Sequence, residues 1–512
     1  MSVVVNLPPE LDSFISMGGG QSLLIRGPPG TGKSTLALAL LDSFPGRGTL
    51  VSTRVSRDLL ARQFAWLGRS ERAFEVVDAS KEMNRMEEYL PGSPVVAQQM
   101  DPSMGGWHSP GLELLSTPLS HVLASQSALE PAMVVIDSWD ALVERMTPDP
   151  SPTNGVLSVR QQLERTIIDR FSATGTLLTI VVEREERTEL DYLVDAVVTT
   201  RLETPDERVE RWLSLSKLRG VRIGNPQYPF TLEGGKFRCL TPTRSDLRVL
   251  EARPAADPSP SVSGLWPGNP TFAGCFGRLP WNGVSLLELS SHTPDDLTRT
   301  FTWTAGVHVV SEGGRVFAIL PPTMSTVALW DALKTWVEPG HFCKHARLLA
   351  AVDPSEYPTE IADSAVRSTD WKVSAPDPTG APSRSGSVGP NLPGIHRFLR
   401  DSGDMGRPVL VIVYLEGLEL AGRLVGVDYA PSSFPALVQA YSRIPQSHVM
   451  VVGRTGDPLL ESIKPLAAVN VRFNERQGRI FCYGVRPRTP TFVLTEAPGE
   501  HGSTRAGLLE VA

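Results

Sequence analysis

Residues 27–34 restrict the possible folds of this chain more than any other part of the sequence. They read Gly-Pro-Pro-Gly-Thr-Gly-Lys-Ser and lie between an apolar run at residues 21–26 and a helical pattern at residues 33–43. In the pattern G-x-x-x-x-G-K-S, the glycines let backbone N–H groups turn inward around a phosphate, and the next helix adds its positive N-terminal end. The sequence therefore predicts a phosphate-binding loop formed by Gly27, Pro28, Pro29, Gly30, Thr31, Gly32, Lys33, Ser34 and Thr35.

Each polar residue of this loop has a separate expected duty. Lys33 is expected to reach the β- and γ-phosphates of a nucleotide, and Thr35 to lie close to the α-phosphate. The Ser34 hydroxyl is expected to bind Mg²⁺. A magnesium-bound nucleotide also needs a carboxylate at the end of a neighbouring buried strand, and Asp137 ends the apolar run at residues 132–137. We therefore expect Ser34 and Asp137 at the metal, with ATP and Mg²⁺ as the cofactors.

Alternating patterns in the first 240 residues favour an α/β fold with a mostly parallel sheet. Short β-branched runs alternate with longer helical patterns, as they do in βαβ units. The predicted strands lie at residues 21–26, 48–53, 132–137, 175–182, 195–201 and 211–217, and helical spacing occurs at residues 33–43 and 159–171.

Composition divides the chain further. From residue 241 to residue 270 the sequence is rich in Pro, Ser, Ala and Gly, and apolar periodicity disappears. We predict a nucleotide-binding domain at residues 1–240, a linker at residues 241–270, a second domain at residues 271–493 and a disordered tail at residues 494–512.

The order of motifs in the first 240 residues resembles the RecA superfamily, specifically its KaiC-like and archaeal RadA-paralogue branch. After the phosphate-binding loop come Val51-Ser52-Thr53, Val135-Ile136-Asp137-Ser138, Leu193-Val194-Asp195-Ala196 and Ser216-Lys217-Leu218-Arg219-Gly220. The resemblance implies an ATP-binding RecA-like domain, and a tandem duplication is a further feature of KaiC-like chains. It also implies that Lys217 and Arg219 reach the nucleotide of an adjacent subunit, and so a homo-oligomer. The alternative is a solvated basic strand end.

The two halves of the chain share short sequence words in the same order. Ser22-Leu23-Leu24 falls on Ser285-Leu286-Leu287, and Val181-Val182-Glu183-Arg184 falls on Val451-Val452-Gly453-Arg454. At an offset of 263, Lys33 falls on Asp296, while Asp137 falls near Tyr414 and Lys217 near Gly484. We therefore predict tandem RecA-like P-loop domains, of which the second is degenerate and lacks ATP. Coincidence is the alternative, because βαβ proteins share short apolar words.

One departure from the KaiC-like pattern concerns ATP hydrolysis. Such ATPases usually carry glutamates just after the second strand, where Arg54 and Val55 stand in this chain. Hydrolysis is then either slow or dependent on Asp58 or Glu183, and Arg54 has the alternative roles of binding a phosphate or a neighbouring protomer. Residues 52–56 and 19–25 also resemble the P-loop domain of the archaeal gas vesicle regulator protein D.

These observations predict an Mg-ATP-binding KaiC-like protein whose nucleotide state regulates assembly or a protein partner. The residues expected to act in catalysis are Lys33, Asp137, Glu183, Lys217 and Arg219. The alternatives are a DNA-dependent ATPase or recombination mediator of the RadA-paralogue type, and a gas-vesicle-type transcriptional regulator.

Charge and apolar content bear on the partners and the location. A net charge of −7 and the acidic, proline-rich stretch at residues 144–155 give no support for nucleic acid as a partner. No apolar run approaches the length of a membrane span, so we expect a cytoplasmic protein.

Overall fold

The described residues of the computed structural model form two compact units, built on Val4–Thr241 and Pro242–Glu510. The structure describes residues 4–66, 74–79, 131–146, 159–242, 254–260, 263–294, 296–350, 356–366, 393–425, 429–498 and 504–511. Each unit is a mixed α/β sheet structure, and each is considered by itself below.

The first unit contains one sheet with a parallel centre and an antiparallel edge. Its strands are β1 (Val4–Val5), β2 (Ser22–Arg26), β3 (Arg47–Ser52), β4 (Glu75–Asp78), β5 (Ala132–Asp137), β6 (Leu177–Val182), β7 (Ala196–Glu203), β8 (Glu210–Leu218), β9 (Gln227–Thr231) and β10 (Arg238–Leu240). Its helices are α1 (Pro9–Ser16), α2 (Lys33–Ser43), α3 (Arg57–Gln63), α4 (Trp139–Met146), α5 (Val159–Ala173) and α6 (Leu190–Leu193). The order across the sheet is β1-β10-β9-β8-β7-β2-β6-β5-β3-β4. Strands β2 to β7 are parallel, and β8, β9, β10 and β1 continue the sheet in antiparallel pairs.

The central strands are buried along their whole length and mostly apolar, because both faces of the sheet are covered. On β2, Leu23 and Ile25 pack in one core with Leu36 and Leu40 of α2. Leu24, between them, points into the core on the opposite face. A parallel sheet covered on both faces requires this nearly continuous apolar run. The carboxyl ends of β2, β5, β6 and β3 consequently meet at one edge of the sheet, where the loops that follow them come together.

The second unit repeats this architecture. Its strands are β11 (Gly283–Leu289), β12 (Arg315–Ile319), β13 (Ala346–Leu349), β14 (Val409–Tyr414), β15 (Ser447–Arg454), β16 (Ala467–Arg476), β17 (Arg479–Arg486), β18 (Phe492–Pro498) and β19 (Thr504–Glu510). Its helices are α7 (Pro270–Phe276), α8 (Asp296–Ser311), α9 (Thr326–Leu333), α10 (Pro339–His345), α11 (Pro393–Asp404), α12 (Leu415–Val425), α13 (Phe434–Ser442) and α14 (Pro458–Ile463). The order across this sheet is β13-β12-β14-β15-β11-β16-β17-β18-β19.

The two strand orders correspond to each other one for one. Read from β4 to β9, the first sheet runs 4-3-5-6-2-7-8-9, and the second runs 13-12-14-15-11-16-17-18, with the same parallel and antiparallel pairs. The helices that follow the first core strand, α2 and α8, begin at Lys33 and Asp296, which are 263 positions apart. The predicted tandem RecA-like α/β fold is confirmed.

A buried ion pair recurs at the same place in both sheets with its charges reversed. In the first unit, Arg26 Nη1 lies 2.6 Å from Asp191 Oδ1. In the second unit, Lys464 Nζ lies 3.2 Å from Glu288 Oε2. Arg26 pairs with Thr199 of β7, and Asp191 lies eight positions before Thr199. In the same way, Glu288 pairs with Arg472 of β16, and Lys464 lies eight positions before Arg472. The two halves thus correspond at the level of single side chains, although the sequence words predict only the strands.

The predicted disordered tail at residues 494–512 is wrong. Strand β18 runs to Pro498, and β19 pairs with it in antiparallel register from Thr504 to Glu510. Ala506 is buried in the core of the second unit. The last apolar run of the sequence is short and follows a stretch rich in Gly, Glu and Ser, which hides the strand from pattern analysis.

The reversed ion pair gives a stability test with an internal control, because Lys464 contacts two carboxylates. Glu288 is fully buried, whereas the Glu461 side chain, 2.5 Å from the same ammonium group, is 47% exposed. We expect Glu288→Ala to lower the free energy of unfolding by about 3 kcal/mol, because it removes the fully buried carboxylate that pairs with Lys464 and Arg472 and accepts a hydrogen bond from Asn470. Glu461→Ala is expected to cost less than about 1 kcal/mol. Urea unfolding of both variants measures the difference, and equal losses would contradict the buried role of Glu288.

Candidate functional site

The phosphate-binding loop follows β2 and takes its shape from three glycines with positive φ. Gly27, Gly30 and Gly32 have φ angles of 150°, 78° and 96°. Gly32 is the N-cap of α2, so the helix begins directly at Lys33. Side chains rarely adopt this left-handed conformation, which explains why glycine occupies these positions.

Gly27 is also required by a close approach between two strands. A Cβ atom at this position would lie 2.3 Å from the Thr200 carbonyl oxygen on β7. Thr31 Oγ1 lies 2.6 Å from Thr200 Oγ1, and it donates to the Pro28 carbonyl at 2.8 Å. The loop is therefore fixed against β7 from two sides.

Lys33 lies within the curve of the loop. Its side chain donates from Nζ to the Pro28 carbonyl oxygen at 2.7 Å, and the residue is only 5% exposed. Burial lowers the pKa of Lys33, while the charges of Glu183 and Asp137 act in the opposite direction. Lys33 and these two carboxylates consequently form one electrostatic group at the carboxyl edge of the sheet.

Asp137 lies at the end of β5, next to the first turn of α2. Burial raises the pKa of Asp137, and the hydrogen bond from the Ser34 hydroxyl and the charge of Lys33 lower it. The Thr53 backbone N–H donates to the Asp137 carbonyl at 2.9 Å, and Thr53 Oγ1 accepts from the Ser138 N–H at 2.8 Å. The end of β3 is thereby joined to the end of β5, and the pair predicted to hold magnesium is brought together.

Glu183 follows β6 and forms an ion pair with Arg54, which follows β3. The pair joins Arg54 Nη1 to Glu183 Oε2. The two side chains are 46% and 30% exposed. Arg54, which stands where KaiC-like chains carry an acid, therefore contacts the carboxylate that the sequence offers as a substitute base.

Two further residues lie at this edge, Arg211 and Asp140, of which the sequence suggests for Asp140 only a helix-capping or solvent position. Asp140 is 3% exposed, its Oδ2 accepts from the Glu183 N–H at 2.7 Å, and its Oδ1 lies 3.4 Å from Arg184 Nε. Arg211, on β8, donates from Nη1 to the Gly30 carbonyl at 2.8 Å. No short motif marks either residue, because both act through contacts that only the folded sheet creates.

Lys217 and Arg219 lie at the other edge of the first sheet. Strand β8 runs antiparallel to β7, so its end pairs with the beginning of β7, away from the phosphate-binding loop. Lys217 Nζ donates to the carbonyls of Asp191 at 2.9 Å and Val194 at 2.5 Å, and Arg219 Nη1 lies 2.9 Å from Asp195 Oδ1. The structure thus brings Lys33, Asp137 and Glu183 together and leaves Lys217 and Arg219 outside that group.

In the second unit, an arginine takes the position of Glu183. Asp137 pairs with Val181 of β6, and Glu183 lies two residues after Val181. Tyr414 pairs with Val452 of β15, and Arg454 lies two residues after Val452. The alignment of sequence words pairs Arg454 with Arg184, which is one position away. The sheet register therefore corrects the alignment at this point.

Arg454 fills the place that corresponds to the phosphate-binding loop. Its Nη1 donates to the carbonyls of Ser290 at 3.0 Å and Thr293 at 2.6 Å, and its Nε donates to Glu416 at 3.1 Å. Tyr414, which takes the position of Asp137, is 2% exposed. A guanidinium group bonded to loop carbonyls thus stands where the first unit has Glu183, and a buried phenol stands where it has the carboxylate of Asp137.

The register also corrects the expected counterpart of Lys217. Sequence words place Gly484 there, but Arg486 has the matching position beside a β-bulge. Lys217 pairs with Val197 and donates to the Val194 carbonyl, three residues before Val197. Arg486 pairs with Asn470 and donates at 2.9 Å to the Ala467 carbonyl, three residues before Asn470. Asp296, on which Lys33 falls in the alignment of the two halves, has a side chain outside the described part of the structure.

The residues of the first unit fit a magnesium-bound nucleotide. A glycine-rich loop, the N-terminus of α2 and a buried ammonium group form a set of cationic and N–H donors suited to phosphate. The Ser34 hydroxyl and the Asp137 carboxylate are adjacent oxygen donors of the kind that Mg²⁺ binds.

Residues 9–238 match the family model of the KaiC ATPase. The match covers the first unit and includes the phosphate-binding loop, Asp137 and Glu183. The resemblance to KaiC-like ATPases is therefore confirmed for this part of the chain.

Two proteins of Halobacterium salinarum are similar to a larger part of the chain. Protein GvpD2 is 30% identical over 306 residues, which are 58% of this chain and 56% of that protein. Protein GvpD1 is 28% identical over 242 residues, 47% of this chain and 41% of that protein. The chain thus spans about half the length of these relatives.

The described residues contain neither a candidate membrane span nor a cluster of metal-binding side chains. Among them, no helix has the length and apolar character needed to cross a membrane. The same residues contain no group of three or more His, Cys, Asp or Glu able to hold a metal ion. Most of residues 144–155, considered above for nucleic acid, lies outside the described part of the chain.

Gly27→Ala tests the close approach of the loop to β7. The new Cβ would overlap the Thr200 carbonyl, so we expect a loss of about 1–3 kcal/mol in the free energy of unfolding. Gly224→Ala is the control, because its Cβ would meet only Glu10 Oε1 at 3.4 Å, an ordinary contact. Denaturant unfolding of both variants gives the comparison. A Gly27→Ala protein as stable as the control would show that the loop is not confined by β7.

Proposed function

We propose that the first unit binds Mg-ATP and that its nucleotide state controls assembly or a protein partner. The observation that carries this proposal is the buried Lys33 within the glycine loop, together with the Ser34–Asp137 pair at the same sheet edge. The match of this unit to the KaiC ATPase model supports it. Lys33 would bind the β- and γ-phosphates, and Ser34 and Asp137 would hold the magnesium ion, with Asp137 acting through water.

Hydrolysis at this site is proposed to be slow. Arg54 stands where an acid would polarise the attacking water, and Glu183 is already paired with it. Asp58, the other candidate base, is exposed in the first turn of α3. Glu183 is the better candidate, because its charge acts directly on Lys33.

The second unit is proposed to support or regulate the first one without binding ATP. Arg454 bonds to the carbonyls of the loop that would otherwise receive phosphate, and Tyr414 stands in place of the metal-binding aspartate. A KaiC-like domain without the phosphate-binding residues and the metal-binding aspartate still has its sheet and its surfaces. Such a domain is suited to a regulatory role.

A gas-vesicle-type regulator is the more specific form of this proposal. The alignment with protein GvpD2 covers 306 residues, more than the 230 residues of the KaiC match, so it includes sequence beyond that ATPase model. A DNA-dependent ATPase is the competing function, and a single-stranded DNA arm in the ATPase assay distinguishes the two.

Lys33→Ala tests nucleotide binding. We expect its affinity for a fluorescent ATP analogue with Mg²⁺ to fall by about tenfold to a hundredfold, because a buried charged hydrogen bond to phosphate is lost. Lys334→Ala, at a 54% exposed lysine of the second unit, is the control and should bind as the wild type does. Fluorescence titration measures both affinities. Normal affinity in Lys33→Ala would exclude the proposed site.

Arg219→Ala tests the proposed contact between subunits. Its guanidinium is 58% exposed at the sheet edge opposite the phosphate-binding loop, so within one chain it cannot reach the nucleotide bound there. With saturating ATP, we expect wild type to assemble head to tail and Arg219→Ala to remain smaller while still binding ATP.

Light scattering during gel filtration measures both masses. Arg238→Ala, which removes the arginine of β10 that pairs with Glu233, is the control and should assemble as wild type does. A wild-type protein that stays monomeric with ATP would refute the contact.

A further inference from the structure

We propose that Arg54 is a positioning residue that restrains Glu183, so that the site holds ATP and hydrolyses it only when the Arg54–Glu183 ion pair opens. This inference rests on the proposed function. It assigns to Arg54 a role that acts through Glu183, in place of a direct contact with phosphate or with a neighbouring protomer.

The two partners are held in position by the backbone on both sides of the site. Arg54 directly follows Thr53, whose N–H and hydroxyl are bonded to the end of β5. Glu183 directly follows β6, and its own N–H donates to buried Asp140. Because β5 lies between β3 and β6, the ion pair spans the end of the strand that carries Asp137.

The charges around Lys33 indicate what the restraint accomplishes. Glu183 and Asp137 both act on Lys33 as negative charges, while the Arg54 guanidinium, paired with Glu183, acts as a positive one. An unpaired Glu183 would therefore place a negative charge beside the ammonium group that has to bind phosphate. Arg54 offsets this charge, and the triphosphate can be bound without repulsion from Glu183.

The same contact lowers the capacity of Glu183 to act as a base. In hydrolysis, a water oxygen attacks the γ-phosphorus, the bond from that phosphorus to the β–γ bridging oxygen breaks, and the proton of the water passes to a carboxylate. ADP and phosphate are the products. The Glu183 oxygen that accepts from the Arg54 guanidinium group is occupied by that bond and is not available to take the proton of the water.

The ion pair is suited to opening. Both side chains are partly exposed, at 46% and 30%, and solvent weakens such pairs. In the second unit, the counterpart of Glu183 is Arg454, and it pairs with Glu416 on α12, which follows β14 and is therefore not the counterpart of Arg54. There the arginine is bonded to the loop itself, and the site is closed to phosphate.

Four variants of the full-length chain test the restraint: Arg54→Ala, Arg54→Lys, Glu183→Gln and the double variant Arg54→Ala/Glu183→Gln. In Arg54→Ala, we expect phosphate release in a single turnover to rise by about tenfold or more, because a general base becomes available. Affinity for a non-hydrolysable fluorescent ATP analogue should fall about two- to fivefold in the same variant, because Glu183 is left unpaired. The double variant should lose the acceleration and regain the affinity, and Arg54→Lys should stay close to wild type in both measurements.

Arg47→Ala is the matched control. Arg47 is the first residue of β3, the strand that Arg54 follows, and so lies at the end of β3 opposite to the site. It pairs with Glu75 at 3.3 Å, and its side chain is 44% exposed. It should change neither measurement.

Two outcomes would overturn the restraint. One is phosphate release in Arg54→Ala that is unchanged or slower while the nucleotide still binds. The other is a double variant that keeps the weakened affinity, which would show that Arg54 contacts phosphate directly. Failure of the proposed function looks different, because Lys33→Ala would then bind the ATP analogue as tightly as wild type does.

Discussion

The parallel hydrogen bonding of β2 between β6 and β7 is the constraint on which the site depends. These pairings place the end of β2 beside the ends of β6 and β7, so the loop that follows β2 opens at the edge where Asp137 and Glu183 lie. The strand can occupy the centre because its middle residues, Leu23, Leu24 and Ile25, present apolar side chains to both faces. The polar chemistry is then confined to the first residues beyond the strands, where buried and exposed surroundings meet and charges are only partly screened.

The duplicated sheet shows which features recur in the unit whose sequence lacks the phosphate-binding motif. Strand order, register, the β-bulge beside Lys217 and the buried ion pair on the first core strand recur in the second unit. The charges of that pair are reversed, and an arginine replaces Glu183. Packing and pairing therefore require opposite charges at given places but do not fix which partner is positive. A bound polyphosphate does fix the sign, because only cations and N–H groups can surround it.

Local patterns predict much of the fold but little of the network within the site. The strands around the phosphate-binding loop are found within one or two residues, since apolar runs and the glycine motif are local signals. The contacts of Arg54, Asp140 and Arg211 join residues that are 43 to 181 positions apart, and no spacing in the sequence announces them. The C-terminal strand β19 is missed because its partner, and not its own composition, gives it order. The counterparts Arg454 and Arg486 need the sheet register, which shifts by one or two residues relative to the matched words.

The reversed ion pair also bears on how a chain with two similar halves folds correctly. In a chain with two similar halves, a strand of either half can fill the same position in a sheet. Exchange of strands between the halves is therefore a common route to misfolding. If β2 entered the second sheet in place of β11, the Arg26 guanidinium would lie beside Lys464 and Arg472 without the buried carboxylate that Glu288 supplies there. The converse exchange would bury Glu288 against Asp191. Opposite polarity at one interior position thus gives each half a means of rejecting the other's central strand.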